Sequence, residues 1–411
     1  MDASKPTAGS LVVVPGRWAS VFVCLERPSE GRRWMGALVT AFLPAAIVAF
    51  CTTPIIRRLA VRVGALDRPG VGHNHRNAVP YLGGVGIVAA FCVGLLILLY
   101  VDHDPQDRAA MYGILLGGVM VAVVGVIDDT GAFWATRLPW LADADRRGLR
   151  PVFKLAGQTL AAVILCHYHV VIYGMQNPFR PNTPDWISFG WAAYPLTIFW
   201  VVAISNAVNL VDGLDGLATG ISSIAAATLL VVALLSGNMV GAALLCAVLL
   251  GACLGFLPWN FHPARIFMGD AGALFLGFAL GAVSVVGPLK SATVVALSVP
   301  ALAIGLPVLD TVLAIVRRWG AGTMVGARDQ AHVHHRLLDL GLSHRDAVLA
   351  LYVISGWLGI SALAVERVGP LLGAGILVFV IVSLTLGARL AGVLPQRRAK
   401  PLTPRQTSWQ A

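Results

Sequence analysis

Long apolar runs limit the fold of this chain more than any other feature. Eleven segments are nearly free of charge, and each has the roughly 17–25 residues that a helix needs to cross a bilayer. With 57% hydrophobic and 12% charged residues, the 411-residue chain also departs from a soluble composition. The sequence therefore predicts an all-α, polytopic integral membrane protein with about 11 transmembrane helices. The runs lie near 35–56, 81–101, 109–127, 152–172, 189–205, 217–235, 239–257, 271–289, 291–315, 346–364 and 369–388.

An odd number of crossings places the two termini on opposite sides of the membrane. With the N-terminus out and the C-terminus in, 21 of the 30 Lys and Arg residues fall on the cytoplasmic side, as the positive-inside rule requires. We predict an N-terminal extension at 1–34, a single transmembrane domain at 35–390 and a basic cytoplasmic tail at 391–411. The extension carries charges that conflict with this orientation, so Met35 is a candidate for the native start.

The net charge of +10 is explained by this topology, and no basic patch interleaved with stacking aromatics predicts nucleic-acid binding. The six cysteines are scattered, mostly within apolar runs, without metal or redox spacing. We interpret them as small core residues.

The segment 205–217 carries four polar side chains between two apolar runs, at positions three residues apart. Ionisable groups at such a depth are rare and usually functional, although a polar turn between two helices is the alternative. Two glycines in the segment are expected to open the helix and let backbone approach a ligand. The four polar residues are Asn206, Asn209, Asp212 and Asp215, and the glycines are Gly213 and Gly216.

Asp128 and Asp129 directly follow an apolar helix, where the helix dipole and their mutual repulsion are both unfavourable. A metal ion or cationic ligand would compensate them; a solvated helix end is the alternative. Lys154 follows a polar insertion and is either a snorkelling interfacial lysine or a phosphate contact.

Three further loops on the same predicted side hold costly residues. In 258–272, Asp270 occupies what is either a helix N-cap or a ligand position; its polar and aromatic neighbours are Asn260, His262, Arg265 and Phe267. In 316–345, His and Arg residues suit an anionic phosphate better than a closed zinc site; they are His332, His334, His335 and Arg336. The pair Gly83-Gly84 can admit a phosphate, although a turn into a helix is the simpler interpretation.

Several of these segments, in this order, resemble the polyprenyl-phosphate N-acetylhexosamine-1-phosphate transferases over roughly residues 40–390. They are Asp128-Asp129, NAVNLVDGLDGLATG (206–220), FLPWNFHPARIFMGDAGALFLGF (256–278), PVLDT (307–311) and DQAHVHHRLLDLGLSH (329–344). The HVHHRL form is similar to the GlcNAc-1-phosphate transferases that begin wall-polymer or O-antigen synthesis. The muramyl-pentapeptide branch typically has three His followed by an acidic residue, which this chain lacks.

The resemblance implies a multi-pass plasma-membrane enzyme with its active site on the cytoplasmic side. It would transfer a sugar 1-phosphate from a UDP-sugar, UDP-GlcNAc by this branch, to an undecaprenyl or decaprenyl phosphate and release UMP. The implied cofactor is Mg²⁺, with Mn²⁺ as its substitute, and the implied assembly is a homodimer among membrane lipids. The implied catalytic residues are Asp128, Asp129, His334, His335 and Arg336. The implied metal ligands are Asp270 and Asp129. The implied substrate-binding residues are Lys154, Asn209, Asp212, Asp215, Asn260, Phe267 and His332.

Three positions depart from the family pattern: Gly72-His73 in the first loop, a long gap between Asp129 and Lys154, and Ala273 in place of a serine. Three other functions stay open. A phospho-MurNAc-pentapeptide-type transferase would use the same chemistry. A secondary transporter would place acids within the spans or on both sides, and its two halves would be inverted repeats. A lipid-binding scaffold would explain the basic loops but not the five cytoplasmic carboxylates.

Overall fold

The computed structural model describes ten helices of ten or more residues and three short hairpins. The described residues are 28–67, 78–101, 105–131, 137, 142–143, 148–176, 186–236, 240–287, 301–302, 304–305, 307–309, 311, 337–368 and 370–390. The helices are α1 Pro28–Val63, α2 Gly83–Val101, α3 Pro105–Asp129, α4 Pro151–His167, α5 Ala193–Val211, α6 Leu217–Leu235, α7 Val240–Asn260, α8 Gly269–Val286, α9 His344–Arg367 and α10 Pro370–Leu390.

Eight of the described helices are long and apolar enough to cross a membrane, namely α1–α3 and α5–α9. Helix α4 and the core of α10, Leu371–Gly387, are shorter apolar helices. The prediction of an all-α polytopic membrane protein is therefore confirmed. Ten of the eleven predicted runs correspond to α1–α10, and most of the run at 291–315 lies outside the described residues.

Local sequence explains where several helices begin. Proline is the first residue of α1, α3, α4 and α10, where its missing N–H has no helical partner to lose. Ser343 is the N-cap of α9, and its hydroxyl accepts a hydrogen bond from the N–H of Asp346 at 3.2 Å. Helix α1 begins at Pro28, inside the segment predicted as an extension.

Helix α8 forms the centre of the bundle, since every residue from Ala271 to Val286 is buried. Small residues let its neighbours approach closely, as is common in membrane bundles. A Cβ on Gly84 of α2 would lie 2.1 Å from the backbone nitrogen of Gly272. A Cβ on Gly125 of α3 would lie 2.4 Å from the Cα of Ala271. Helices α2 and α3 therefore contact α8 backbone to backbone.

The strands are confined to connections between helices. Each pair is antiparallel: β1 Leu66–Asp67 with β2 Val79–Pro80, β3 Ala142–Asp143 with β4 Gly148–Leu149, and β5 Gly174–Gln176 with β6 Trp186–Ser188. The first two hairpins lie at the end of the bundle where α3 ends and α4 begins. Leu149 of β4 donates its N–H to the Asp128 carboxylate, and the carbonyl of Pro80 in β2 accepts a hydrogen bond from the N–H of Phe267.

Candidate active site

The predicted polar residues that the structure describes converge at one end of the bundle. Helices α3, α5 and α7 end there, and α4, α6, α8 and α9 begin there. Hydrogen bonds at this end join residues far apart in sequence, such as Asp129 and Ala271, which are separated by 142 positions. The described parts of these loops therefore lie together at one end of the bundle.

Lys154 lies between two of the predicted carboxylates. Its Nζ is 3.5 Å from Oδ2 of Asp128 and forms a close ion pair with Oδ2 of Asp270. The Nδ2 of Asn209 donates to Oδ1 of Asp270 at 2.9 Å, and the N–H of Leu149 donates to Oδ1 of Asp128 at 2.8 Å. These contacts bring residues from α3, α4, α5 and α8 around one positive charge.

Asp129 contacts helix α8 and differs in this from Asp128. Its two carboxylate oxygens accept hydrogen bonds from the N–H groups of Asp270 and Ala271, at 2.8 and 3.1 Å. These are unsatisfied donors of the first turn of α8, where the helix dipole favours an anion. Asp270 is therefore not the N-cap, because α8 begins at Gly269 and the cap is supplied from α3. Each Asp129 oxygen keeps a lone pair, so its role as a metal ligand stays a prediction.

Residues 212–216 form the turn between α5 and α6, as the two glycines predict. Gly216 has a φ of +78°, a conformation that favours glycine. The carboxylate of Asp212 accepts no hydrogen bond from any residue that the structure describes. Burial, with the charges of Asp129 and Asp215, raises the pKa of Asp212 to about 7. Asp212 is thus available to a hydrogen-bond donor or cation.

Asp215 is held by two histidines that join different parts of the chain. Its Oδ2 accepts from Nδ1 of His262 at 2.9 Å and from the N–H of Ala264 at 3.0 Å. The N–H of Asp215 donates to Nε2 of His344 at 3.1 Å. His262 is one of the polar residues noted in its loop, without a predicted role, and His344 is not among the predicted site residues. The hydrophilic start of α9, GLSHRD, was the available signal.

Asn260 and Phe267 shape the loop that leads into α8. Asn260 is 2% exposed; its Oδ1 accepts from Thr219 Oγ1 at 2.7 Å and its Nδ2 donates to the carbonyl of Ile266 at 3.1 Å. It therefore braces the loop from within, and a direct substrate contact stays a prediction. Phe267 is partly exposed beside Tyr81, with ring centroids 6.3 Å apart, and its contact with a planar ligand stays a prediction.

Gly83 and Gly84 are a turn into a helix. Their N–H groups donate to the carbonyls of Phe267 and Met268, both at 2.9 Å, and so are not directed at a phosphate. The predicted basic loop residues His332, His334, His335 and Arg336 lie outside the described residues, as do His73 and Asp310 of the segment 307–311.

The donor set suits a magnesium ion. Two carboxylates, Asp128 and Asp270, converge on a single cationic nitrogen, and the side chains of Asp128, Lys154 and Asp270 are each 18–23% exposed. Magnesium in phosphate-transferring sites is typically held by one or two carboxylates together with substrate phosphates. Asp215, His262 and His344 also bring one ligand atom each within 4.8 Å of one another. In that group, however, the lone pair of His344 Nε2 already faces the N–H of Asp215.

Comparison with known proteins identifies relatives of this chain. The model for glycosyl transferase family 4 matches residues 111–288. A probable undecaprenyl-phosphate N-acetylglucosaminyl 1-phosphate transferase of Bacillus subtilis is 35% identical over 89% of this chain and 95% of its own length. A decaprenyl-phosphate N-acetylglucosaminephosphotransferase of Mycolicibacterium smegmatis is 35% identical over 83% of this chain and 86% of its own length. A phospho-N-acetylmuramoyl-pentapeptide-transferase of Desulforamulus reducens is 31% identical over 78% of this chain and 92% of its own length.

Proposed function

Since the chain belongs to glycosyl transferase family 4, we propose that it transfers N-acetylglucosamine 1-phosphate from UDP-GlcNAc to an undecaprenyl or decaprenyl phosphate and releases UMP. The cluster of Asp128, Lys154, Asn209 and Asp270 carries this proposal, because it combines carboxylates for a divalent cation with an amine for phosphate. The two relatives named for N-acetylglucosamine transfer are each 35% identical to this chain, against 31% for the muramoyl-pentapeptide relative.

The chemistry joins two anions, so charge neutralisation and positioning are the main requirements. An oxygen of the lipid phosphate forms a bond to the sugar-bearing phosphorus of UDP-GlcNAc, and the bond from that phosphorus to the bridging oxygen breaks to release UMP. Asp270 and Asp128 would hold Mg²⁺, with Asp129 as a further ligand, and Mn²⁺ could substitute. When bound, the ion would screen the diphosphate charge. Asp128 or Asp129 accepts the acceptor's proton, and Lys154 orients a phosphate oxygen.

We further propose eleven crossings with the N-terminus out, the C-terminus in and the active site at the cytoplasmic face of the plasma membrane. In this arrangement 35–390 form one catalytic domain, and His332, His334, His335 and Arg336 complete the diphosphate site. The 21-to-9 division of basic residues supports this orientation. A homodimer among membrane lipids is the proposed assembly.

The first test is an assay of purified protein with UDP-GlcNAc, polyprenyl phosphate and Mg²⁺, in which release of UMP is measured. We expect release that EDTA abolishes and that excess Mg²⁺ restores. Asp270→Asn should abolish it, whereas Asp346→Asn, at an exposed position on α9, serves as the matched control. Lipid-linked sugar from the Asp270→Asn variant would contradict the metal role.

An assay with UDP-MurNAc-pentapeptide as the donor tests the alternative function, that of a phospho-MurNAc-pentapeptide-type transferase. If UDP-MurNAc-pentapeptide is consumed faster than UDP-GlcNAc, the assignment of the donor is wrong. Labelled UMP exchanged into UDP-GlcNAc without any lipid acceptor would indicate a covalent aspartyl intermediate in place of direct attack.

A further inference from the structure

Helix α9 is attached to the turn at 212–216 by two side chains that the proposed chemistry does not use. Nε2 of His344 accepts from the N–H of Asp215 at 3.1 Å, and the hydroxyl of Tyr352 donates to the carbonyl of Gly216 at 2.6 Å. The two contacts fix consecutive residues of the turn. Tyr352 reaches this point from two turns further along α9, because long side chains on a helix lean toward its N-terminus.

The same turn is held from its other side by the loop that follows α7. His262 and the N–H of Ala264 bind the Asp215 carboxylate, and the rings of His262 and His344 stack with centroids 4.5 Å apart at 20°. A Cβ on Gly220 would lie 2.0 Å from the ring of Tyr352, so α9 packs directly against the first turn of α6. Asp215 is therefore bound both by α9 and by the loop that follows α7, two elements that are far apart in sequence.

These contacts indicate a clamp for the turn and not a second metal site. Nε2 of His344 already accepts a hydrogen bond from the N–H of Asp215. The neutral imidazole ring of His344 therefore carries its proton on Nδ1. The oxygen of Asp215 nearest His262 already accepts two hydrogen bonds. A metal ion would have to break at least one of them.

The charge of the turn indicates which substrate it meets. Asp212 and Asp215 would repel both the lipid phosphate and the diphosphate, whereas Lys154, which contacts Asp128 and Asp270, suits them. Carboxylates instead accept hydrogen bonds from neutral donors, such as the hydroxyl and N–H groups of a nucleoside. The turn thus fits the uncharged nucleoside part of the donor.

On the basis of the proposed function, we propose that His344 and Tyr352 are positioning residues that hold the 212–216 turn in the shape that binds the nucleoside of UDP-GlcNAc. They act through Asp215 and Gly216 and do not take part in the phosphoryl transfer. Their loss should weaken binding of the donor while leaving the acceptor and the chemical step nearly unchanged.

The test measures initial rates of His344→Ala, His344→Gln and Tyr352→Phe in purified full-length protein, varying each substrate while the other is saturating. We expect KM for UDP-GlcNAc to rise about tenfold in His344→Ala and about twofold to tenfold in Tyr352→Phe, the range for one hydrogen bond. KM for polyprenyl phosphate should stay unchanged and kcat within about threefold. Gln places an acceptor where Nε2 lies, so His344→Gln should restore the wild-type KM.

Controls and outcomes separate this proposal from the function on which it rests. His167→Ala and Tyr112→Phe remove the same groups on the far side of the bundle and should change neither KM. A wild-type protein inactive with UDP-GlcNAc would reject the proposed function. An active wild type in which Tyr352→Phe and His344→Ala keep a normal donor KM, or raise both KM values equally, would reject the positioning role. If His344→Ala does not fold, Tyr352→Phe and His344→Gln decide the question.

Discussion

Lys154 neutralises two carboxylates that come from different helices, Asp128 on α3 and Asp270 on α8. The sequence offered two interpretations of this lysine, and the ion pairs exclude a side chain that simply snorkels toward the interface. The three side chains are each 18–23% exposed. In the proposed reaction, the positive charge of Lys154 meets a phosphate oxygen.

Replacing this lysine tests its contribution. In Lys154→Gln we expect kcat/KM to fall about 100-fold or more, since a preorganised charge at a phosphoryl-transfer site is worth at least that much. The fall is measured as UMP release at saturating Mg²⁺. Arg62→Gln, which removes an exposed positive charge at the same end of the bundle, should retain activity. Equal rates in the two variants would show that Lys154 is not part of the reaction centre.

Asp212 gives a pH dependence of stability. Its pKa is about 7 in the folded protein, and about 3.9 is expected when unfolded. The folded state therefore holds the proton more tightly, and this group lowers the free energy of unfolding as the pH rises from about 4 to about 7. Asp212→Asn lacks this effect. The unfolding temperatures of Asp212→Asn and of the wild type are measured in EDTA. The variant's value minus the wild-type value should increase as the pH rises from about 4 to about 7 and then stay constant. A difference that does not change with pH would contradict the raised pKa of Asp212.

At the residue scale, the sequence predicted which residues lie in the candidate site better than it predicted which residues they contact. Asp128, Asp270 and Asn209 were singled out because unpaired polar groups beside apolar helices are costly. The contact between Asp129 and the first turn of α8 was not predicted, since it joins residues 141 positions apart. His344 was missed for a similar reason: on its own it reads as an ordinary residue in the first turn of a helix.

Helix α8 is the element on which the site is built. It begins with a glycine at a φ of +66°, is capped by a carboxylate from α3 and contacts the backbone of α2 and α3. Its amphipathicity is weak because nearly all of its surface is buried, so its central position could not be read from a polar face. The apolar runs established the helices, whereas their arrangement depends on small residues that meet across the bundle.

The cap of α8 can be tested with a matched pair of variants. Asp129 uses both oxygens to bind N–H groups of α8, whereas Asp128 uses one oxygen for the N–H of Leu149. Asn retains only one acceptor, so Asp129→Asn should cost about 1–3 kcal/mol of stability and Asp128→Asn less. Both should lose activity. Thermal unfolding in detergent makes the comparison, and equal unfolding temperatures would argue against the cap.

The contact of α2 with α8 predicts a strict size limit at Gly84. A methyl group there would meet the backbone of Gly272, which cannot rotate away. Gly84→Ala should therefore lower the yield of folded protein and its unfolding temperature. Gly356→Ala, on α9, adds the same methyl group where nothing lies within 4 Å and should be tolerated. Wild-type behaviour of Gly84→Ala would contradict the close contact.

At the scale of the whole molecule, the described loops divide into two sets. The polar cluster occupies one end of the bundle, and the opposite end holds the β5–β6 hairpin and the last turns of α6 and α8. The sequence predicted this division from the alternation of apolar runs. The basic loop around His334 lies outside the described residues, so its place beside the cluster remains a prediction.

Labelling tests the proposed orientation of the molecule. Leu340→Cys and Trp191→Cys each introduce a thiol at an exposed position, on the polar-cluster end and on the opposite end. In a background without the six native cysteines, a membrane-impermeant maleimide should label only Trp191→Cys in intact cells. Inverted vesicles should reverse the result. Labelling of Leu340→Cys from outside would place the candidate site on the wrong face.

The junction of α3 and α8 limits how this scaffold can vary. Asp129 grips peptide groups of Asp270 and Ala271, so the spacing between the acidic pair and Asp270 is set by main-chain geometry. The contact of Asp128 is different, because the N–H that it binds belongs to Leu149, in the connection that leads to α4. A change of length immediately before Leu149 is therefore expected to move Asp128 while the contact of Asp129 with α8 is retained.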